Sequence, residues 1–183
     1  MKMKKKENYN KSELFQFSNG EFGPKISKLP LPPMLMIDRI NKISENGGKY
    51  NKGQIIAEME INPKLWFFDC HFKDDPVMPG CLGLDALWQL TGFYLTWLGG
   101  TGKGRALGCG EVKFKGQIRP YHTKITYEID IKKILKRNEK TIIWANGKIS
   151  TNSNTIYFAK NLQVGLFQDL TYDFGADPSL DSF

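Results

Sequence analysis

Cysteine and histidine are both scarce, with three of one and two of the other among 183 residues. Cys70, Cys81 and Cys109 cannot all pair with one another, so no disulfide framework is expected, and the chain suits a reducing compartment. There is no CxxC pair to found a metal knuckle. Long apolar runs are missing too. The greasiest stretch, Leu82 to Leu98, carries Asp85, Gln89 and Thr91 and falls short of a membrane span. The basic start Met1-Lys-Met-Lys-Lys-Lys6 runs into polar Glu7-Asn-Tyr-Asn10 and not into the apolar segment that a secretory signal requires. The 18 glycines and 9 prolines are too few and too scattered for a fibrous chain. A soluble cytoplasmic protein with no membrane association is the expectation.

What is present fits one ordinary domain: 40% hydrophobic residues, 13% aromatic and 25% charged. Residues 1–28 read as a polar N-terminal leader with weak helical potential around Ser12 to Phe17, residues 29–168 as the folded domain, and residues 169–183 as a polar, acidic tail. Leu29-Pro-Leu-Pro-Pro33 makes a stiff extended entry. Strands are predicted over Met34–Ile43, Tyr50–Ile61, Ala106–Ile118, Lys124–Ile131, Thr141–Ile149 and Thr155–Leu166, with apolar alternation cleanest at Ile125, Tyr127, Ile129 and Ile131. Leu82–Leu98 is predicted as the one long helix, apolar on nearly every face and stopped by Gly99-Gly100. About six strands and one helix buried on all sides predict an α+β fold, a curved antiparallel sheet wrapped around a central helix. The side of the helix away from the sheet needs cover, which a second copy in a symmetric dimer would give.

Chemistry concentrates in Trp66 to Leu90. His71 sits in an aromatic, proline-stiffened loop. An imidazole titrates near neutrality, so it suits a general base, and it equally suits a core histidine that donates to a backbone carbonyl. Asp85 lies one turn into the helix among Leu82, Leu84, Leu87 and Trp88. Burial favours its neutral acid form and the helix start favours the carboxylate, and the residues alone leave both open. Gly80 and Cys81 open the helix, and their unpaired N–H groups could stabilise an oxygen that gains negative charge. An ordinary helix start after Pro79 is the plain alternative. Cys81 could serve as a thiolate nucleophile, and Cys70, His71 and Cys81 as metal ligands, but with no CxxC pairing and no fourth ligand in view, packing roles fit these residues better. His122, in Arg119-Pro-Tyr-His-Thr123, reads as a solvated turn residue.

Taken together, Asn62-Pro63, Leu65-Trp-Phe-Phe68, Cys70-His-Phe72, Asp75-Pro-Val-Met-Pro-Gly-Cys-Leu-Gly-Leu-Asp-Ala86, Gly102-Lys-Gly-Arg-Ala-Leu-Gly108 and Val164-Gly-Leu-Phe-Gln168 resemble the 3-hydroxydecanoyl-acyl-carrier-protein dehydratase family of bacterial type II fatty acid synthesis. The resemblance runs from about Leu29 to Gln168. It implies a hot-dog fold, a homodimer with active sites at the subunit interface, and dehydration of a 3-hydroxyacyl thioester of about ten carbons. It further implies isomerisation of the trans-2 to the cis-3 product. It implies that His71 is the base, that Asp85 is the acid from across the interface, and that the Gly80 N–H binds the thioester carbonyl. Neither metal nor cofactor is implied. Aspartate at position 85, where the non-isomerising sister family usually has glutamate, points to the decanoyl type.

An apolar tunnel for the acyl chain would be lined by Phe72, Val77, Trp88 and Phe93. The partner implied is acyl carrier protein, which is acidic; Lys132, Lys133, Lys136 and Arg137 form a basic cluster able to steer it. A net charge of +7 also suits nucleic acid, but no nucleic-acid motif accompanies it. Asp69 departs from the family pattern, where a small residue is expected. The rival activities are a hot-dog acyl thioesterase, a dehydratase without isomerase activity, and a non-catalytic acyl-binding module.

Overall fold

The computed structural model describes residues 4–137, 140–152 and 154–168. In chain order these form helix α1 (Lys11–Asn19), strands β1 (Arg39–Ser44) and β2 (Gln54–Glu60), a single 3₁₀ turn (Trp66–Phe68), helix α2 (Gly80–Trp97), and strands β3 (Lys103–Gly108), β4 (Glu111–Phe114), β5 (Lys124–Arg137), β6 (Lys140–Thr151) and β7 (Asn154–Phe167). The tail expected at 169–183 lies outside the described residues. No helix among those described is long and apolar enough to cross a membrane.

The strands make one antiparallel sheet in the order β1-β2-β5-β6-β7-β3, with β4 also paired to β7. The expected architecture is therefore present: α2, about 27 Å long at 1.5 Å per residue, lies in the curve of this sheet. Twelve of its 18 residues are buried, on every face. Its end follows from the glycine pair. Gly99 adopts a left-handed φ of 88°, which lets the Gly100 N–H reach back to the Leu95 carbonyl at 2.9 Å.

The curvature comes from a feature that alternation does not signal. Pairing shifts register at Ile131/Lys133 in β5, at Ala145/Gly147 in β6, and at Cys109-Gly110, where the single strand predicted over Ala106–Ile118 breaks into β3 and β4. On β7 the same line passes through Asn161, whose φ is 53°. Bulges in neighbouring strands thus align into one crease, and each bulge bends its strand. Side chains replace the ladder bonds lost there. Asn146 Oδ1 accepts from the Asn161 N–H at 3.0 Å, Asn146 Nδ2 donates to the Tyr50 hydroxyl at 2.8 Å, and Lys132 bonds Asn161 Oδ1.

The segment read as a polar leader is built into the core. Asn10 caps α1 reciprocally with Glu13, each backbone N–H reaching the other's side chain at 3.0 Å. Leu14 and Phe17 are buried, and Tyr9 pairs its backbone with Ile40. Tyr9 and Phe17 meet Phe93 of α2 edge-on at 5.2 and 4.9 Å, while Trp97 Nε1 donates to the Lys6 carbonyl at 2.6 Å. Cover for α2 at Phe93 and Trp97 thus comes from the chain's own N-terminal segment, which the sequence pattern does not indicate. In α1 the buried face is carried by Leu14, Phe17 and Ser18, while Phe15 is exposed, so composition alone reads the segment as polar.

Candidate active site

His71 stands in a loop held at both ends. Its N–H donates to the Phe67 carbonyl at 3.0 Å, the Val77 N–H donates to the His71 carbonyl at 2.7 Å, and Phe72 and Asp75 exchange backbone bonds between them. Arg119 ties the loop down from outside, pairing with the Asp75 carboxylate and donating to the Pro76 carbonyl at 3.1 Å. The His71–Phe72 peptide is cis. His71 Nδ1 lies 2.9 Å from the Val77 carbonyl oxygen. A carbonyl only accepts, so Nδ1 carries a proton, and in the neutral ring the lone pair is on Nε2. The histidine is satisfied by backbone and still has one nitrogen open for chemistry, so the two readings of it are compatible.

That ring lines a cavity of about 510 Å³ together with Val77, Met78, Gly80, Cys81, Leu84, Phe114 and Tyr157. Pro79 precedes α2 and offers no side-chain cap, so the first-turn amides of Gly80 and Cys81 face this region with the positive helix end behind them. Phe114 explains the glycine at 80, since a Cβ there would come within 2.6 Å of the Phe114 ring.

Asp85 is elsewhere. It lies in the second turn of α2, beyond the first-turn position that dipole stabilisation would favour. It lines a different cavity, of about 280 Å³, with Trp88, Gln89, Gly92, Phe93, Thr96, Lys28 and Arg105. At about 100° per residue, positions 85, 89, 92 and 96 form a stripe roughly a third of a turn from positions 80 and 84. One chain therefore presents the imidazole and the carboxyl to two separate spaces. The four expected tunnel residues divide the same way. Val77 belongs to the first cavity; Trp88 and Phe93 belong to the second; Phe72 is exposed and stacks on the His71 ring at 3.8 Å between centroids. Trp88 is fixed by donation to the Gly108 carbonyl at 3.1 Å.

The basic cluster lines neither cavity. Lys132 is engaged at the sheet crease and Lys133 lies 5.3 Å from the Trp144 ring centroid, while Lys136 and Arg137 are exposed. Asp69 is exposed after the 3₁₀ turn, and His122 accepts from the Arg119 N–H at 2.9 Å within its turn. Among the described residues no three His, Cys, Asp or Glu side chains gather as metal ligands. Cys70 hydrogen-bonds to the Trp66 and Phe67 carbonyls. Cys109 lies in neither cavity, and burial pushes its thiol up from the ordinary range.

Two side chains were not singled out by the sequence. Gln89 touches Asp85, a contact legible in their i, i+4 spacing. Tyr157 left no such trace, because it meets α2 at Gly83, 74 residues earlier in the chain. Its hydroxyl is buried and has no hydrogen-bond partner among the described residues, and burial raises the phenol well above its usual range. Tyr157→Phe removes that unpaired group at nearly constant shape. The expected result is a melting midpoint unchanged or raised, and a loss of more than about 1 kcal/mol would mean that the hydroxyl does hold a partner.

The chain matches the family described as FabA-like domain over residues 29–160. Among solved structures it is similar to the dehydratase heterocomplex ApeI:P from Xenorhabdus doucetiae, at 13% identity and a TM-score of 0.58, covering 77% of this chain and 88% of that one. It is also similar to an uncharacterized protein from Pyrococcus horikoshii, at 10% identity and a TM-score of 0.50, covering 73% of this chain and 85% of that one. At such identities the likeness is one of fold, the hot-dog arrangement of helix and sheet.

Proposed function

This chain belongs to the FabA-like domain family, and from that premise we propose that it dehydrates 3-hydroxyacyl thioesters delivered on acyl carrier protein. The observation that carries the reading is the His71 cavity: an imidazole with Nδ1 committed to the Val77 carbonyl and Nε2 open, beside the uncapped amides of Gly80 and Cys81.

The reaction needs a base at C2, an acid at the C3 hydroxyl, and donors for the thioester oxygen. His71 Nε2 takes the C2 proton. The Gly80 N–H, with the helix dipole behind it, holds the carbonyl oxygen as enolate charge develops. The Asp85 carboxyl gives its proton to the C3 hydroxyl, which leaves as water while C2 and C3 become doubly bonded. Within one chain the base and the acid open into different cavities. We therefore place the working site between two copies, His71 from one and Asp85 from the other, with Val77 on one wall of the acyl channel and Trp88 and Phe93 on the other.

The finer reading is a ten-carbon substrate with isomerisation of the trans-2 to the cis-3 decenoyl thioester, carried by Asp85 and the Gly-Cys-Leu-Gly-Leu sequence before it. For carrier-protein docking, Lys133, Lys136 and Arg137 are the exposed members of the basic cluster.

Product analysis with a 3-hydroxydecanoyl carrier thioester tests these together. Enoyl product without free thiol is the expected result, and a cis-3 fraction adds the isomerase activity. Thiol release without enoyl product would make the protein a thioesterase instead, and binding without turnover would make it an acyl-binding module.

A further inference from the structure

The two histidines of the chain are joined by a run of hydrogen bonds that all point the same way. His71 Nδ1 donates to the Val77 carbonyl at 2.9 Å. The same peptide unit carries the Met78 N–H, which donates to the Ile118 carbonyl at 2.9 Å. That carbonyl shares its peptide with the Arg119 N–H, which donates to His122 Nδ1 at 2.9 Å. Both peptides are trans, so in each the carbonyl faces one neighbour and the N–H faces the other. A parallel arm runs through the peptide before Val77. Arg119 Nη1 donates to the Pro76 carbonyl at 3.1 Å, and the Val77 N–H donates to the His71 carbonyl at 2.7 Å. Both peptides that flank Val77 thus span from His71 to the Ile118-Arg119 segment.

The turn that follows fixes that segment. Arg119-Pro-Tyr-His122 closes with the His122 N–H donating to the Arg119 carbonyl at 3.1 Å, and Pro120 presets its second position. The His122 ring is thereby returned to the first amide of its own turn. Nδ1 also lies 3.2 Å from the Arg119 carbonyl, but a proton on Nδ1 would set two donors against each other at 2.9 Å. A bare Nδ1 satisfies the amide, and the carbonyl keeps the His122 N–H.

We infer that His122 is a positioning residue for the base. By accepting from the Arg119 amide it orients the Ile118–Arg119 peptide, and through the Val77–Met78 peptide it holds the His71 imidazole with Nε2 open. Polarisation along such a chain is small, about 10–30% per bond, so what His122 supplies is orientation. Without its acceptor the Arg119 N–H turns toward water. The Ile118 carbonyl turns with it, because the two groups share one plane, and the Met78 donor loses its alignment.

The inference rests on His71 being the base, and the test separates the two. In the intact protein, His122→Leu removes the acceptor, whereas His122→Asn keeps one, an amide oxygen as many bonds from Cβ as Nδ1 is. The expected result in His122→Leu is a fall in kcat of about three- to thirtyfold. That is less than the roughly hundredfold loss a misplacement of an ångström can cause, because the arm through Pro76 remains. KM for the decanoyl thioester should change less than about twofold. His122→Asn should bring kcat back to within about twofold of the parent. By nitrogen NMR the proton of neutral His71 should sit on Nδ1 in the parent and in His122→Asn, and shift in part to Nε2 in His122→Leu. Placed on His71→Asn, His122→Leu should cost nothing further in kcat, since it acts only through His71. A role confined to the turn would lower the melting midpoint and leave kcat and the His71 signals unchanged, and that result overturns the inference. Equal losses in the leucine and asparagine variants overturn it too, because the acceptor would not be what matters. Parental kcat in His122→Leu beside a collapsed His71→Asn overturns it alone. Near-parental turnover in His71→Asn overturns the base assignment and the inference with it. Should His122→Leu not fold, the parent serves instead. A nitrogen–nitrogen coupling across the hydrogen bond from the Arg119 amide to His122 Nδ1 is expected there, and a proton found on that Nδ1 at neutral pH overturns the inference.

Discussion

His71→Asn and Asp85→Asn should each lower dehydration by at least about two orders of magnitude, and combining the two inactive proteins should restore it. The restoration follows from the geometry. One chain puts His71 in the cavity with Gly80 and Tyr157, and Asp85 in the cavity with Trp88 and Gln89. If each site takes its base from one copy and its acid from the other, a mixed dimer holds one doubly substituted site and one intact site. Random reassortment makes half of the dimers mixed, so co-expression should recover roughly a quarter of the parental rate, as expected for a twofold assembly. Subunit exchange can be verified independently with a tagged copy. Verified exchange without recovery would show that base and acid are not shared between chains, and the proposed site would have to be abandoned.

Gly83→Ala should destabilise the protein, although glycine to alanine inside a helix ordinarily stabilises by about 1 kcal/mol. The reversal of sign is the informative part. A Cβ at position 83 would lie 1.4 Å from the Tyr157 hydroxyl, 2.4 Å from Cζ of that ring and 2.9 Å from Ile149 Cδ1. The ring is buried and also packs edge-on to Phe114 at 5.0 Å, so it has little room to retreat. Overpacking of this kind costs about 1–3 kcal/mol, which outweighs the gain in helix propensity. Gly92→Ala is the internal control. Its Cβ would meet only Val164 Cγ1, at 3.3 Å, so chemical denaturation should show no comparable loss. Equal stabilisation by both substitutions would mean that α2 does not approach β7 as closely at position 83 as these distances state. Tyr157→Phe should relieve Gly83→Ala only in part, since Cζ remains in the way.

Much of the fold was legible because it rests on short-range rules. Periodicity placed α2 to within two residues at its start and one at its end, and the Gly99-Gly100 stop works through the turn expected of glycine. Alternation found β2, β6 and β7 nearly entire, and the core half of β5. It began β1 too early, since Met34 and Met36 are held by the Gln89 amide and not by a neighbouring strand. It also ran β3 and β4 together. Bulges leave composition and hydrophobicity unchanged, and Lys132, Asn146 and Asn161 show what they are for only when they are side by side.

What the sequence determined alone was an inventory with local geometry: an imidazole in a prolyl loop, a glycine-led helix with a carboxyl in its second turn, and enough alternating strands to enclose that helix. Tertiary structure decided how these are shared out in space. The helical repeat turns position 85 away from position 80, Val77 selects the nitrogen of His71 that stays open, and Gln89 reaches across to a distant backbone to hold Asp85. Each of these depends on contacts between groups far apart in the chain or on different faces of a helix, and a linear pattern of residue types does not encode such distances.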